Sequence, residues 1–158
     1  MKPTLVQFDA PGFGVGEVWL ERGRVFHTEL PRPRRTRPVA DTGDGSKGQE
    51  LAERLTAFFS GEADEFADVR LRIPDGFYGD CARALRKVRR GEVVSYGELA
   101  VLAGYPGAAR AAGTFCGRCS LSPFIPTHRV VGATGVGSYG DLGVEYKRRL
   151  LELEGVTV

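Results

Sequence analysis

From Pro31 to Gly48 this chain shows no hydrophobic period, and the patterns on either side of that stretch differ in kind. Before it, apolar residues fall into short extended runs; after it, they recur every three or four residues. The stretch itself is polar and rich in proline and glycine, which reads as a long loop or linker. At 158 residues the chain suits one domain of ordinary size, or two small lobes sharing one core.

Within the first block, Gly16 to Leu20 and Val25 to Leu30 flank Glu21-Arg22-Gly23-Arg24, a short turn with a glycine available for positive φ. From Gln49, Leu51, Leu55, Phe58 and Phe59 share one helical face, and Gly61 stops that helix after Ser60. Asp68 to Ile73 is expected to be extended, ahead of Pro74-Asp75-Gly76. A second helix carries Phe77, Cys81, Leu85 and Val88 on one side, which makes Cys81 a small core residue.

Ser95-Tyr96-Gly97-Glu98 has capping-box spacing and should start a third helix, with Leu99, Leu102 and Ala103 as its apolar stripe. Gly104-Tyr105-Pro106-Gly107 breaks it, and Ala108 to Phe115 starts another. The two form a helix-turn-helix pattern, which any antiparallel helix pair also resembles. In the second of them Ala108, Ala109, Ala111, Ala112 and Gly113 surround one long side chain, Arg110. Such a helix is either close-packed in the interior or smooth enough to enter a narrow nucleic-acid groove. A final helix bears Val144, Leu150, Leu151 and Leu153.

Composition narrows the class. With 158 residues, 42% of them hydrophobic, and no apolar run approaching about 18 residues, no membrane span is expected. The N-terminus lacks a secretory pattern, and Cys81, Cys116 and Cys119 are too few and too clustered for a disulfide framework, so a cytoplasmic location is expected. The net charge of +2 says little, but Arg83, Arg86, Lys87, Arg89 and Arg90 crowd one segment and Arg32, Arg34, Arg35 and Arg37 another. Each cluster is either a solvated surface or a phosphate-facing patch. Asparagine is absent, and only two glutamines and one methionine occur, which suggests a thermophilic source or GC-rich coding.

Ile125-Pro126-Thr127-His128-Arg129-Val130-Val131 resembles the active-site signature of the O6-alkylguanine-DNA alkyltransferases, aliphatic-Pro-Cys-His-Arg-aliphatic-aliphatic, with Thr127 where the cysteine stands. Around it, Ser95-Tyr96-Gly97-Glu98-Leu99-Ala100 and Tyr105 to Gly113 resemble the family's helix-turn-helix. Gly137-Ser138-Tyr139-Gly140 and Lys147 to Gly155 resemble its pocket loop and closing helix. The resemblance implies an α+β fold: a ribonuclease-H-like N-terminal lobe of sheet and helix, 1–74, then a helical lobe, 75–158, with the helix-turn-helix and an active-site loop. It implies a repair protein that enters the minor groove and rotates an O6-alkylguanine into a pocket, where a thiolate takes the alkyl group. Ser95, Tyr96, Ala109, Arg110 and Arg129 would then face DNA, with Arg110 filling the vacated stack. Tyr139 and the backbones of Val130 and Gly140 would line the base pocket. His128 and Glu154 resemble the pair that activates the acceptor through a water. No cofactor or metal is implied, and the partners would be double-stranded DNA containing O6-alkylguanine and further repair proteins, bound by a monomer.

Two departures matter. A free thiol ionises near pH ~8.5, whereas a threonine hydroxyl needs dedicated activation to act as a nucleophile. Alkyl transfer to Thr127 should therefore be negligible. At Cys119 the family has a hinge asparagine followed by proline, and here Cys119-Ser120 stands instead. The spacing of Cys116 and Cys119 invites redox or metal readings, but the only histidines are His27 and His128, and a four-ligand zinc site is not evident. His27 is expected to be a strand histidine without chemistry. Three functions stay open: a lesion-binding relative that does not transfer, a true alkyltransferase inactivated by a Cys-to-Thr substitution, and a diverged DNA-binding protein without lesion preference.

Overall fold

The computed structural model describes residues 3–33 and 45–158. They form two compact units, Met1–Arg72 with Ser120–Ser122, and Ile73–Cys119 with Pro123–Val158. Arg34, Arg35 and Arg37 lie outside the described residues.

The first unit is a three-stranded antiparallel sheet in the order β1 (Thr4–Ala10), β2 (Gly14–Glu21), β3 (Arg24–Arg32), with helix α1 (Gly45–Phe59) packed on β1. The sequence reading names β2 and β3 but not β1, although Val6, Phe8 and Ala10 are buried in the alternation a half-covered strand requires. Phe8 lies across from Gly16, where a Cβ would sit 2.3 Å from the Phe8 ring, so that glycine lets the aromatic ring cross the sheet. Phe59 gathers Phe8, Phe13 and Phe58 at centroid distances of 5.3–5.8 Å, and Leu55 and Phe66 complete the core. A three-stranded sheet with one helix is what the described residues of this unit contain.

The expected linker is shorter than Pro31 to Gly48. β3 runs through Arg32 and α1 begins at Gly45, four residues ahead of Gln49. Hydrophobic period misses both ends because neither extension carries apolar residues on a regular face. Asp68 to Ile73 is only locally extended: Val25 pairs with Leu71 through Val25 N–H to Arg70 O and Arg72 N–H to Val25 O. Ser120 and Ser122 are tied to β3, since Thr28 donates its N–H to Ser120 O at 2.7 Å and its hydroxyl to Ser122 O at 2.6 Å.

The second unit is built on helices α2 (Phe77–Leu85), α3 (Tyr96–Ala103), α4 (Ala109–Arg118) and α5 (Val144–Leu153). Cys81 is fully buried on α2, as its helical spacing predicts. α3 starts from a complete capping box: Ser95 Oγ accepts from Glu98 N–H at 3.0 Å, and Glu98 Oε1 accepts from Ser95 N–H at 2.7 Å. It ends at Gly104, whose φ of 97° few other residues adopt without strain. α3 packs against both α2 and α4, and the Tyr105 hydroxyl donates to Asp80 Oδ2 at 2.5 Å, clamping the turn to α2. A two-residue parallel pair, β4 (Val94–Ser95) with β5 (Val130–Val131), sets the start of α3 beside the Thr127–Arg129 turn.

Because the capping box fixes where α3 begins, Ser95→Ala should cost about 1 kcal/mol of stability. Urea unfolding of the variant, read by circular dichroism against the parent, checks this.

Candidate functional site

The signature residues form one tight 3-10 turn, Thr127–Arg129, in which all three side chains are buried. The turn leads into β5, and the chain from Leu121 to Val130 is buried throughout. Directions that diverge over three residues let Thr127, His128 and Arg129 address different partners.

Thr127 is 3% exposed, with its Oγ1 3.1 Å from the Tyr139 hydroxyl. His128 is wholly buried, its Nε2 3.1 Å from Glu154 Oε1. Arg129 forks onto the same carboxylate, Nε to Oε1 at 3.0 Å and Nη2 to Oε2 at 2.7 Å, while its Nη1 donates to Val88 O at 2.7 Å. The pair expected from the sequence is thus a triad of His128, Glu154 and Arg129. This corrects the assignment of Arg129 to the DNA face: at 2% exposure its guanidinium neutralises Glu154 and cannot reach a phosphate. A lone buried carboxylate is costly, and a bidentate arginine is the group that offsets the cost.

The electrostatics follow from this packing. Burial alone would raise the Glu154 pKa, but His128 and Arg129 outweigh it and bring the value down to about 2. Burial lowers the His128 pKa below its ordinary value, against the pull of Glu154. At neutral pH the triad therefore holds a carboxylate, a guanidinium and a neutral imidazole.

Tyr139, the partner of Thr127, comes from the loop before α5, and Tyr96 from the first turn of α3. Gly137 has φ of 80°, and a Cβ there would sit 2.9 Å from the Tyr96 hydroxyl, so only glycine admits this approach. On α4, a Cβ at Gly113 would stand 3.7 Å from the Tyr96 ring, in ordinary van der Waals contact. Lys147, which the sequence reading did not single out, is 1% exposed and donates from Nζ to Ser138 O at 3.2 Å. An inward lysine on an amphipathic helix carries no sequence signal that separates it from a surface lysine. Val130 is buried on β5, and Gly140 is exposed with φ of 54°.

On α4, Ala109, Arg110 and Ala111 are exposed, whereas Ala112 and Phe115 face the interior. The helix is therefore smooth on its outer face with Arg110 projecting from it, and the close-packed alternative applies only to its inner face. Ser95 spends its hydroxyl on the cap of α3. Cys119 is the extended residue that ends α4, with φ −65° and ψ 125°. Burial, with Cys119 nearby, pushes the Cys116 thiol up to about 12. No cluster of three or more metal-ligating side chains occurs among the described residues. His27 sits on β3 with Nε2 2.6 Å from Glu29 Oε2, half-exposed. A groove of about 610 Å³ bordered by Lys87, Val94 and Leu102 contains none of the expected site residues.

Residues 76–156 match the family model described as 6-O-methylguanine DNA methyltransferase, DNA binding domain. The methylated-DNA–protein-cysteine methyltransferase of Mycobacterium bovis is 42% identical over 124 residues, covering 77% of this chain and 72% of that protein. The crystal structure of Mycobacterium tuberculosis OGT in complex with DNA superposes with a TM-score of 0.77 at 35% identity, covering 95% of this chain and 91% of that one. The O6-methylguanine-DNA methyltransferase of Pyrococcus kodakaraensis gives a TM-score of 0.70 at 27% identity, over 98% and 100% of the two chains.

The triad makes stability pH-dependent in one direction. His128 and Glu154 both have depressed pKa values in the folded chain, so folding binds fewer protons than unfolding and acid opposes it. Their contribution should be complete above the ordinary histidine value of 6.5, decline below it, and decline further from 4.5 toward about 2. Thermal melts between pH 8 and 3 check the sign. Arg129→Met should destabilise by roughly 3–5 kcal/mol, because it strands the carboxylate.

Proposed function

This chain belongs to the 6-O-methylguanine DNA methyltransferase family, and from that premise we propose that it is a DNA repair protein that binds duplex DNA, draws out an O6-alkylguanine and holds it without taking the alkyl group. The observation that carries the reading is Thr127, a buried hydroxyl in the turn that also bears His128 and Arg129.

Magnitudes favour binding over transfer. An aliphatic hydroxyl is about as hard to ionise as water, far harder than a thiol at about 8.5. Each unit of that gap adds about 1.4 kcal/mol to the cost of making the nucleophile. A neutral His128 backed by Glu154 suffices for a thiol and falls far short for an alcohol. The β-methyl of threonine also occupies space beside the oxygen that an incoming alkyl carbon would need.

The binding half rests on α3 and α4. Small exposed residues at Ala109 and Ala111 allow the helix backbone close to a narrow groove, and Arg110 projects where it can replace an extruded base. Extrusion costs a few kcal/mol, and a filler for the stack offsets part of it. Tyr96, next to the cap of α3, then meets the backbone of the displaced nucleotide and the base itself. Tyr139, the Val130 backbone and the Gly140 backbone receive that base.

The intact triad supports a second reading, an alkyltransferase silenced by this one substitution. Thr127→Cys should then gain stoichiometric transfer, seen by intact-mass spectrometry as one added methyl per chain. For the first reading, the unaltered protein should bind an O6-methylguanine duplex more tightly than an undamaged one and show no mass gain; equal affinity for both duplexes would leave only a diverged DNA-binding protein. Arg110→Ala should weaken base extrusion, read by 2-aminopurine fluorescence, more than general duplex affinity. Loss confined to salt-dependent, sequence-blind binding would make Arg110 a phosphate contact instead.

A further inference from the structure

Lys147 is the buried cation that the proposed chemistry leaves without a task. It stands on α5, one turn in from the helix start, and its ammonium points into the second unit rather than to solvent. Nζ donates to Ser138 O at 3.2 Å and lies 5.8 Å from the ring centroids of both Tyr96 and Tyr139, within cation–π range of each. Gly137 shares the arrangement: a Cβ there would be 3.3 Å from Nζ as well as 2.9 Å from the Tyr96 hydroxyl. One ammonium thus reaches the two tyrosines assigned to the extruded base and the loop that carries Tyr139.

Such a group is not kept for stability. Burial lowers the Lys147 pKa to about 8, with Cys116 nearby pulling weakly the other way, so the folded chain holds this charge at a cost. An apolar side chain of similar length would avoid that cost, and replacing buried charges in this way is often neutral or stabilising. What an apolar side chain lacks is the ability to fix a carbonyl and two ring faces at once.

We propose that Lys147 is the positioning residue of the base pocket: its ammonium fixes Ser138 O between Tyr96 and Tyr139, so that the pocket wall is formed before a base arrives. Preorganisation of this kind is what converts contacts into affinity. The inference rests on the base-binding reading above and assigns within it which side chain shapes the site. Lys147 touches no reacting atom, and its effect passes through the tyrosines and the loop.

The test compares Lys147→Met and Lys147→Arg with the parent, using hydrogen exchange on the free protein and binding to O6-methylguanine and undamaged duplexes. Lys147→Met should melt no lower than the parent while losing about tenfold of the exchange protection at residues 137–140 and about tenfold of the lesion preference, with undamaged affinity changed by less than about twofold. Lys147→Arg, which keeps the charge, should recover part of both. A Met variant with parental protection and preference overturns the proposal, and so does one in which both duplex affinities fall together. Should the Met variant fail to fold, the Arg variant decides: retained protection supports the role, and its loss overturns it. If the parent itself shows no lesion preference, the base-binding reading fails, while the exchange comparison still decides what Lys147 does.

Discussion

An isolated carboxylate in a protein interior costs several kcal/mol, and Glu154 avoids that cost through two partners from one three-residue turn. The bidentate Arg129 neutralises it, and His128 stays neutral against its other side. Through Arg129 the same interaction reaches Val88 O beyond the end of α2. One buried anion therefore joins the end of α5, the segment after α2 and the turn carrying Thr127. The positions of Thr127 and of the β4–β5 pair depend on that junction, because a 3-10 turn this short has little hydrogen bonding of its own to hold it.

His128 and Glu154 have the charge states that would suit proton removal from a thiol, yet the group beside them is a hydroxyl bonded to Tyr139. The Cys116 thiol, in the same unit, is driven toward its protonated form by burial. In the same unit Arg110 projects outward from a smooth helix face, and Tyr96 lies against Gly113 and Gly137.

Much of this was legible in residue order because it depends on short-range rules. The capping box at Ser95 and Glu98, the glycine stop at Gly104 and the inward spacing of Cys81 and Leu85 each follow from contacts within a turn or two. β1 carries the alternation of Val6, Phe8 and Ala10, a weaker signal than the hairpin that follows it. Arg129 was misplaced for a different reason. An arginine in a signature next to a histidine has the same chemistry whether it meets a phosphate or a carboxylate, and only a partner 25 residues away decides which. Lys147 escaped notice on similar grounds, since the face of α5 that turns inward is set by what packs against it.

The departure at Cys119 illustrates the same division. Without the proline of the family pattern the segment after α4 would be expected to loosen, yet Thr28 holds Ser120 and Ser122 through backbone carbonyls far along the chain. Residue order alone determined the elements, their caps and the identity of the group at position 127, because these are local or covalent facts. The tertiary structure alone decided which charges are buried together, which arginine is left for solvent and which lysine faces the tyrosines. Those outcomes are set by long-range packing and by the high cost of an unpaired ion in a low-dielectric interior, neither of which is encoded by spacing.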